Sequence, residues 1–251
     1  MPDPDLQAQC ELGQEQLMQM NYLAAERTLA EAERIAWRDR DYDTLARLYM
    51  PLQEARRQRR QRCGEGIVCL DLVSEGPSDH IEGRRVVENF SHGQLLVAGW
   101  MSIGPALEVR KLQAEHDLYV ETFLAAVYPI GAGRVVAIIP LEDVQIPQES
   151  PASVDALIKQ LPPHSIVLSE SELPRSSRPG TVETYAQVMA MWERLHTPFL
   201  AAADMQVDPA QKIEGYRKAI RVDYASELAH QKLSDVAHNL ARRARAKSAH
   251  Q

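Results

Sequence analysis

Aromatic residues are sparse, 6% of the chain with three Phe and three Trp, and no apolar run approaches a membrane span, which needs roughly 18 to 20 residues. Neither a single-strand nucleic-acid binder that stacks bases on aromatic rings nor a membrane protein is expected. Cysteine is confined to Cys10, Cys63 and Cys69, without Cys-x-x-Cys spacing. An odd count of this kind gives neither a disulfide framework nor a zinc site and fits a reducing compartment. No Gly-x-x-x-x-Gly-Lys-Ser/Thr occurs, so nucleotide hydrolysis and phosphoryl transfer lose their main support. The first residues, Met-Pro-Asp-Pro-Asp-Leu, are acidic, where a secretory signal needs basic residues and then an apolar stretch. The expectation is a cytoplasmic protein that uses no cofactor.

What is present is ordinary globular material: 251 residues, 45% hydrophobic and 25% charged, enough for one large domain or two modest ones. Lys and Arg number 28 against 35 Asp and Glu, a net charge of −7. A nucleic-acid site would have to be a local basic patch against that field, so such a partner is not expected.

Three segments differ in texture. Residues 6–62 are rich in Ala, Leu, Glu, Gln and Arg, with Gly13 and Pro51 as their only glycine and proline, a helical composition. Apolar residues Leu12, Leu17 and Met20, then Leu23, Leu29, Ala32 and Ile35, recur at helical spacing. Asn21 interrupts them. The pattern predicts helices over 5–19 and 22–37, and a third from Asp43 to about Arg60, with Asp43 or Thr44 as its cap and Pro51 bending it. Residues 64–179 are richer in Gly, Pro, Val and Ile and carry short apolar runs between turn residues. Strands are predicted over 67–73, 95–99, 120–128, 134–140 and 165–168, and helices over 105–117 and 153–160. Pro129 to Gly133 read as a hairpin turn, so the sheet should be mixed. From 180 the helical signal returns, with segments at 181–203, 209–221 and 225–247; Asp208-Pro209 is a good helix opening.

The amino-terminal residues resemble the tetratricopeptide repeats, whose unit is two helices over about 34 residues. Leu12-Gly13 fits the family's Leu-Gly pair, Tyr22 its turn-side aromatic, Ala25 and Ala32 its small positions and Leu29 its large apolar one; Gln9, Gln16 and Trp37 depart from it. Tyr216, Ala219, Ile220 and Asp223 repeat part of the pattern, with Lys212 at the usual Ala position. Ala32 and Ala219 are 219 − 32 = 187 residues apart, which is not a multiple of about 34, so an uninterrupted array is excluded. The resemblance implies a peptide- or partner-binding groove between helices. The expected fold is therefore α+β: helical segments 1–63 and 180–251, able to shelter each other's apolar faces, flanking a mixed α/β domain over 64–179 with one sheet of about five strands.

Chemistry-bearing groups are few. Leu95 to Pro105 runs from an apolar strand through Gly99-Trp100-Met101-Ser102-Ile103-Gly104 into a helix, where backbone N–H groups can hold an anion or an oxyanion. Ser102 is a nucleophile candidate there, but the hydrolase elbow Gly-x-Ser-x-Gly needs glycine where Trp100 stands; the alternative is that Ser102 or Gly104 caps the helix that Pro105 enters. Gly131-Ala132-Gly133 lacks the third glycine of a dinucleotide loop, because Val136 stands there. Asp71, Glu75 and Asp79 are candidates for a cation at the sheet edge or else solvated loop carboxylates. The histidines, among them His80, His92, His116, His230 and His238, show no zinc-pair spacing. Arg56, Arg57, Arg59, Arg60 and Arg62 crowd one helix end, as Arg242, Arg243, Arg245 and Lys247 crowd another. Such runs complement a helix carboxyl terminus or bind acidic partners.

The reading that best fits is a non-enzymatic interaction scaffold, itself able to form homo-oligomers, in which Arg56 and Arg60 help clamp an acidic or extended protein segment. The alternative is a hydrolase or small-ligand binder with its site at Gly99, Ser102 and Gly104. A third is an RNA-associated factor using the arginine run.

Overall fold

The computed structural model describes residues 4–174 and 177–248. The acidic start at residues 1–3 and the side chain of Lys247 lie outside the described residues. The chain is α+β, with helices α1 (Pro4–Met18), α2 (Tyr22–Arg38) and α3 (Tyr42–Glu65), then β1 (Ile67–Val73), α4 (Gly83–Asn89), β2 (His92–Trp100), α5 (Gly104–Glu115), β3 (Tyr119–Ile130), β4 (Gly133–Ile139), α6 (Val154–Gln160), β5 (Ile166–Ser169) and β6 (Arg178–Pro179), and finally α7 (Val182–Asp204), α8 (Pro209–Val222) and α9 (Glu227–Ser248). Two compact units divide at Arg59/Arg60 and Leu195/His196, inside α3 and α7 rather than where the composition changes.

The helical unit combines residues up to 59 with those from 196 onward. On α2, Tyr22, Ala25, Leu29, Ala32 and Ala36 are buried, alternating steps of three and four that keep them on one stripe. Gly13 of α1 lies against Leu29: a Cβ on Gly13 would meet the Leu29 side chain at 2.6 Å. Leu12, its partner in the sequence pattern, is 47% exposed. Helices α1 and α2 end alike. Met20 (φ 60°) and Arg40 (φ 56°) take left-handed backbone, and Asn21 N–H and Asp41 N–H reach back to the carbonyls of Gln16 and Ala36 at 2.9 and 2.8 Å. These bonds satisfy carbonyls that a helix end leaves open.

The third helix begins at Tyr42, and its cap is Asp41, not Asp43 or Thr44: Asp41 Oδ1 accepts from Thr44 N–H at 3.0 Å, and Oδ2 from the Thr44 hydroxyl at 2.7 Å. Helix α3 continues through Pro51, whose ring leaves the carbonyl of residue 47 without its helical donor. Asp208 caps α8 as its sequence suggests, accepting from Ala210 N–H at 3.2 Å. The carboxy-terminal helices contact the amino-terminal ones. Ser234 Oγ donates to the Ala46 carbonyl at 3.0 Å, Arg245 pairs with Asp43, and the Arg217 guanidinium lies 5.4 Å from the centre of the Trp37 ring.

The sheet unit spans Arg60–Leu195. Its strand order is β5-β4-β3-β2-β1-β6, six strands where about five are expected, the addition being the two-residue β6 antiparallel to β1. Strands β1, β2 and β3 are parallel neighbours, and the tight turn at Gly131 makes β4 antiparallel to β3. Side chains alternate across the sheet. Leu95 and Val97 of β2 share a core with Val86 and Val87 of α4, Ala106 and Val109 of α5 and Leu157 of α6. On the other face Trp192 of α7 stacks on Phe123 of β3, with ring centroids 4.1 Å apart. The near-continuous apolar strands are those of a sheet covered on both faces.

Candidate functional site

The strand-to-helix turn after β2 is shaped by close backbone approach. A Cβ on Gly99 would meet the Ser102 carbonyl at 2.7 Å and the Pro105 ring at 2.8 Å, and Ser102 N–H donates to the Gly99 carbonyl at 3.3 Å. The left-handed residue of the turn is Met101 (φ 47°), whose side chain carries no nucleophile. Ser102 Oγ accepts from Gly104 N–H at 3.0 Å, so its described partner is the first turn of α5 and not an imidazole or carboxylate. Gly99, Ser102 and Gly104 are brought together, but as a helix start. The sheet topology points the same way. Helices α4 and α5 both join the core on one face of the sheet, whereas doubly wound sheets bind ligands where successive helices leave for opposite faces.

The acidic candidates are divided among local roles. Asp71 Oδ1 accepts from the Cys69 thiol at 3.2 Å. Glu75 is exposed, and its own N–H donates to Asp79 Oδ2 at 2.7 Å while Ser74 Oγ donates to the Asp79 carbonyl at 2.6 Å, closing the loop after β1. Among the described residues no three His, Cys, Asp or Glu side chains are grouped as metal ligands.

Every arginine of the run is paired, five guanidiniums sharing four carboxylates. Arg57 and Arg62 pair along the helix with Glu54 and Glu65 at 2.8 and 3.0 Å. Within the helical unit, Arg56 and Arg59 converge on Glu26 of α2 at 3.2 and 2.8 Å, and the Arg59 guanidinium lies 4.5 Å over the Tyr224 ring. Within the sheet unit, Arg60 is 3% exposed and gives Glu121 Oε1 two hydrogen bonds, 2.8 and 2.6 Å, while Gln94 Nε2 donates to Glu121 Oε2 at 2.6 Å. Each arginine of the run thus has a carboxylate, and Arg56, Arg59 and Arg60 reach theirs across 30, 33 and 61 residues of sequence. Arg56 and Arg60 are structural side chains rather than an exposed clamp.

The helical unit does contain a cavity, of ≈ 60 Å³, between α1 and α3. Gln7, Cys10, Glu11 and Gln14 line one side, Thr44, Arg47 and Leu48 the other, and Leu29 the floor. Arg47 is exposed; its Nε donates to the Asp43 carbonyl at 3.3 Å and its Nη2 contacts Thr44 Oγ1 at 3.4 Å, which folds the side chain back along its own helix. Burial pushes the Cys10 thiol above its ordinary pKa, with Arg47 opposing, so Cys10 is a protonated, weakly polar wall rather than a nucleophile. Sequence reasoning missed these residues. The signal was there as Gln7, Cys10 and Gln14, three polar or small residues at steps of three and four that share one face of a helix.

Among the described residues no helix is long and apolar enough to cross a membrane. Comparison with known proteins finds no matching family model, no matching curated protein and no matching solved structure.

Proposed function

We propose that this protein is a non-enzymatic cytoplasmic interaction module whose helical unit holds an extended segment of a partner protein in the groove between α1 and α3. The observation that carries the reading is the cavity itself: polar side chains on two helices facing each other over a buried leucine, with Arg47 at its side. Carboxamides of Gln7 and Gln14 suit the backbone of an extended chain, Arg47 suits a carboxylate, and the Leu29 floor suits an apolar side chain. The tetratricopeptide-like register of Gly13, Ala25, Leu29 and Ala32 supports the same use of a helix–helix groove. Arg47, and not Arg56 or Arg60, supplies the cation.

Selection of a displayed peptide library on the full chain tests this. Selected peptides should bind the wild type and weaken at least about tenfold, a hot-spot-sized loss, in Cys10→Trp, which fills the groove, and in Arg47→Glu, which reverses its charge. Peptides that bind both folded variants as they bind the wild type, or a selection that yields no binder, would refute the reading.

A further inference from the structure

His230 of α9 is 0% exposed, and its ring is held at both nitrogens. Nδ1 lies 2.7 Å from the Ser226 carbonyl, and Nε2 lies 3.0 Å from Nη1 of Arg56 on α3. A carbonyl only accepts and a guanidinium only donates, so Nδ1 carries the proton and Nε2 accepts: the contact requires a neutral imidazole. The charged groups that face the ring are Arg56 from α3 and Glu26 from α2, and Glu26 also holds Arg59. One carboxylate therefore answers two guanidiniums. Burial alone lifts the Glu26 carboxyl, and Arg59 and Arg56 more than reverse this, holding it below the usual carboxylate range. A proton added to Nε2 would place a donor against a donor and a third cation beside that single carboxylate. Burial first, and Arg56 second, push the ring's pKa down from 6.5 to about 3.

We propose that His230 is an acid-sensitive latch: its neutral ring pins α9 to α3 within the helical unit, and a proton on Nε2 releases the carboxy-terminal helices α8 and α9. Release uncovers the buried residues of α9, among them Ala229, Leu233 and Ala237, so the module would change the surface it offers as its surroundings acidify. The inference stands apart from the groove, whose lining does not include the ring or its partners.

Native-state hydrogen exchange on the full chain, corrected for the intrinsic pH dependence of exchange, tests the latch. With 6.5 as the pKa of the free ring, opening of α8 and α9 should be about 25-fold more frequent at pH 5 than at pH 7, with the amides of β2 and β3 unchanged. His230→Gln offers one donor and one acceptor without titrating, and should change less than about twofold over the same range. An equal rise in His230→Gln, or β2 and β3 opening in step with α9, overturns the proposal. Should that variant not fold, the ring nitrogen spectrum of the wild type decides: the neutral Nδ1–H form at pH 5 is expected, and an imidazolium in the folded chain at that pH overturns it.

Discussion

The sheet unit and the helical unit both enclose arginine beside glutamate, and they do so with different charge balance. In the sheet unit Arg60 and Glu121, 3% and 2% exposed, form an ion pair, and Gln94 occupies the second carboxylate oxygen. In the helical unit Glu26 receives both Arg56 and Arg59, and Arg56 also donates from Nη1 to a neutral histidine. The sheet is built from strands that follow one another in the chain: β1, β2 and β3 are neighbours in space as in sequence. The helical unit joins segments far apart, Ser234 to Ala46 across 188 residues. Its closure includes a buried imidazole whose contacts require the neutral ring, whereas the sheet pair contains no histidine. The difference teaches that buried charge does not have one role even within a single chain.

The comparison is broken most directly at the sheet pair. Glu121→Gln leaves Arg60 enclosed without its counter-charge and should destabilise the protein by about 3–5 kcal/mol, read by urea unfolding; a loss under about 1 kcal/mol would mean that the site rehydrates easily. Acid should act on the helical unit through His230. The unfolded imidazole takes up a proton near 6.5 and the folded one only near 3, so the unfolded state holds more protons between these values. Stability from this group is complete above about pH 6.5 and falls by about 1.4 kcal/mol per unit below it, about 2 kcal/mol by pH 5. Thermal unfolding from pH 7 to 5 should show that slope, and His230→Gln should flatten it.

Smaller effects separate packing from backbone. Gly13→Ala gains helix propensity but drives a methyl into the buried Leu29 side chain, and should cost about 1–2 kcal/mol net; a stabilised variant would show that Leu29 moves aside freely. Met20→Gly removes a side chain from left-handed backbone at an exposed helix end and should stabilise by about 0.5–1 kcal/mol, seen as a raised Tm.

Much of the fold is legible because local periodicity carries it. The strand over 67–73 and the helix that starts at Pro209 stand where composition and capping put them. Helix α4 was not legible: it spans seven residues, begins with Gly83-Arg84-Arg85 and offers only Val86 and Val87 as an apolar face. It exists by tertiary contact, with Gly83 N–H donating to Glu108 of α5 at 3.0 Å. The two residues of β6 carry no pattern at all and are a strand because β1 lies beside them. The cap of α3 was misplaced by two residues because Asp41, Asp43 and Thr44 are all good capping types, and only backbone geometry selects among them. At the candidate site the arginine run was visible as charge, but the carboxylates of Arg56 and Arg60 lie 30 and 61 residues away, beyond any spacing rule.

By itself the sequence determined the class of each long element, the mixed sheet implied by a glycine turn between two apolar runs, and the absence of a phosphate-gripping loop, because these follow from side-chain period and turn chemistry within a few residues. Tertiary structure alone decided which arginines are enclosed, which proton His230 carries, that Met101 rather than Ser102 takes the left-handed turn, and where a groove opens. Those outcomes depend on groups brought together across the chain, and burial, which sets the strength of their interactions, is a property of the folded neighbourhood and not of any residue in it.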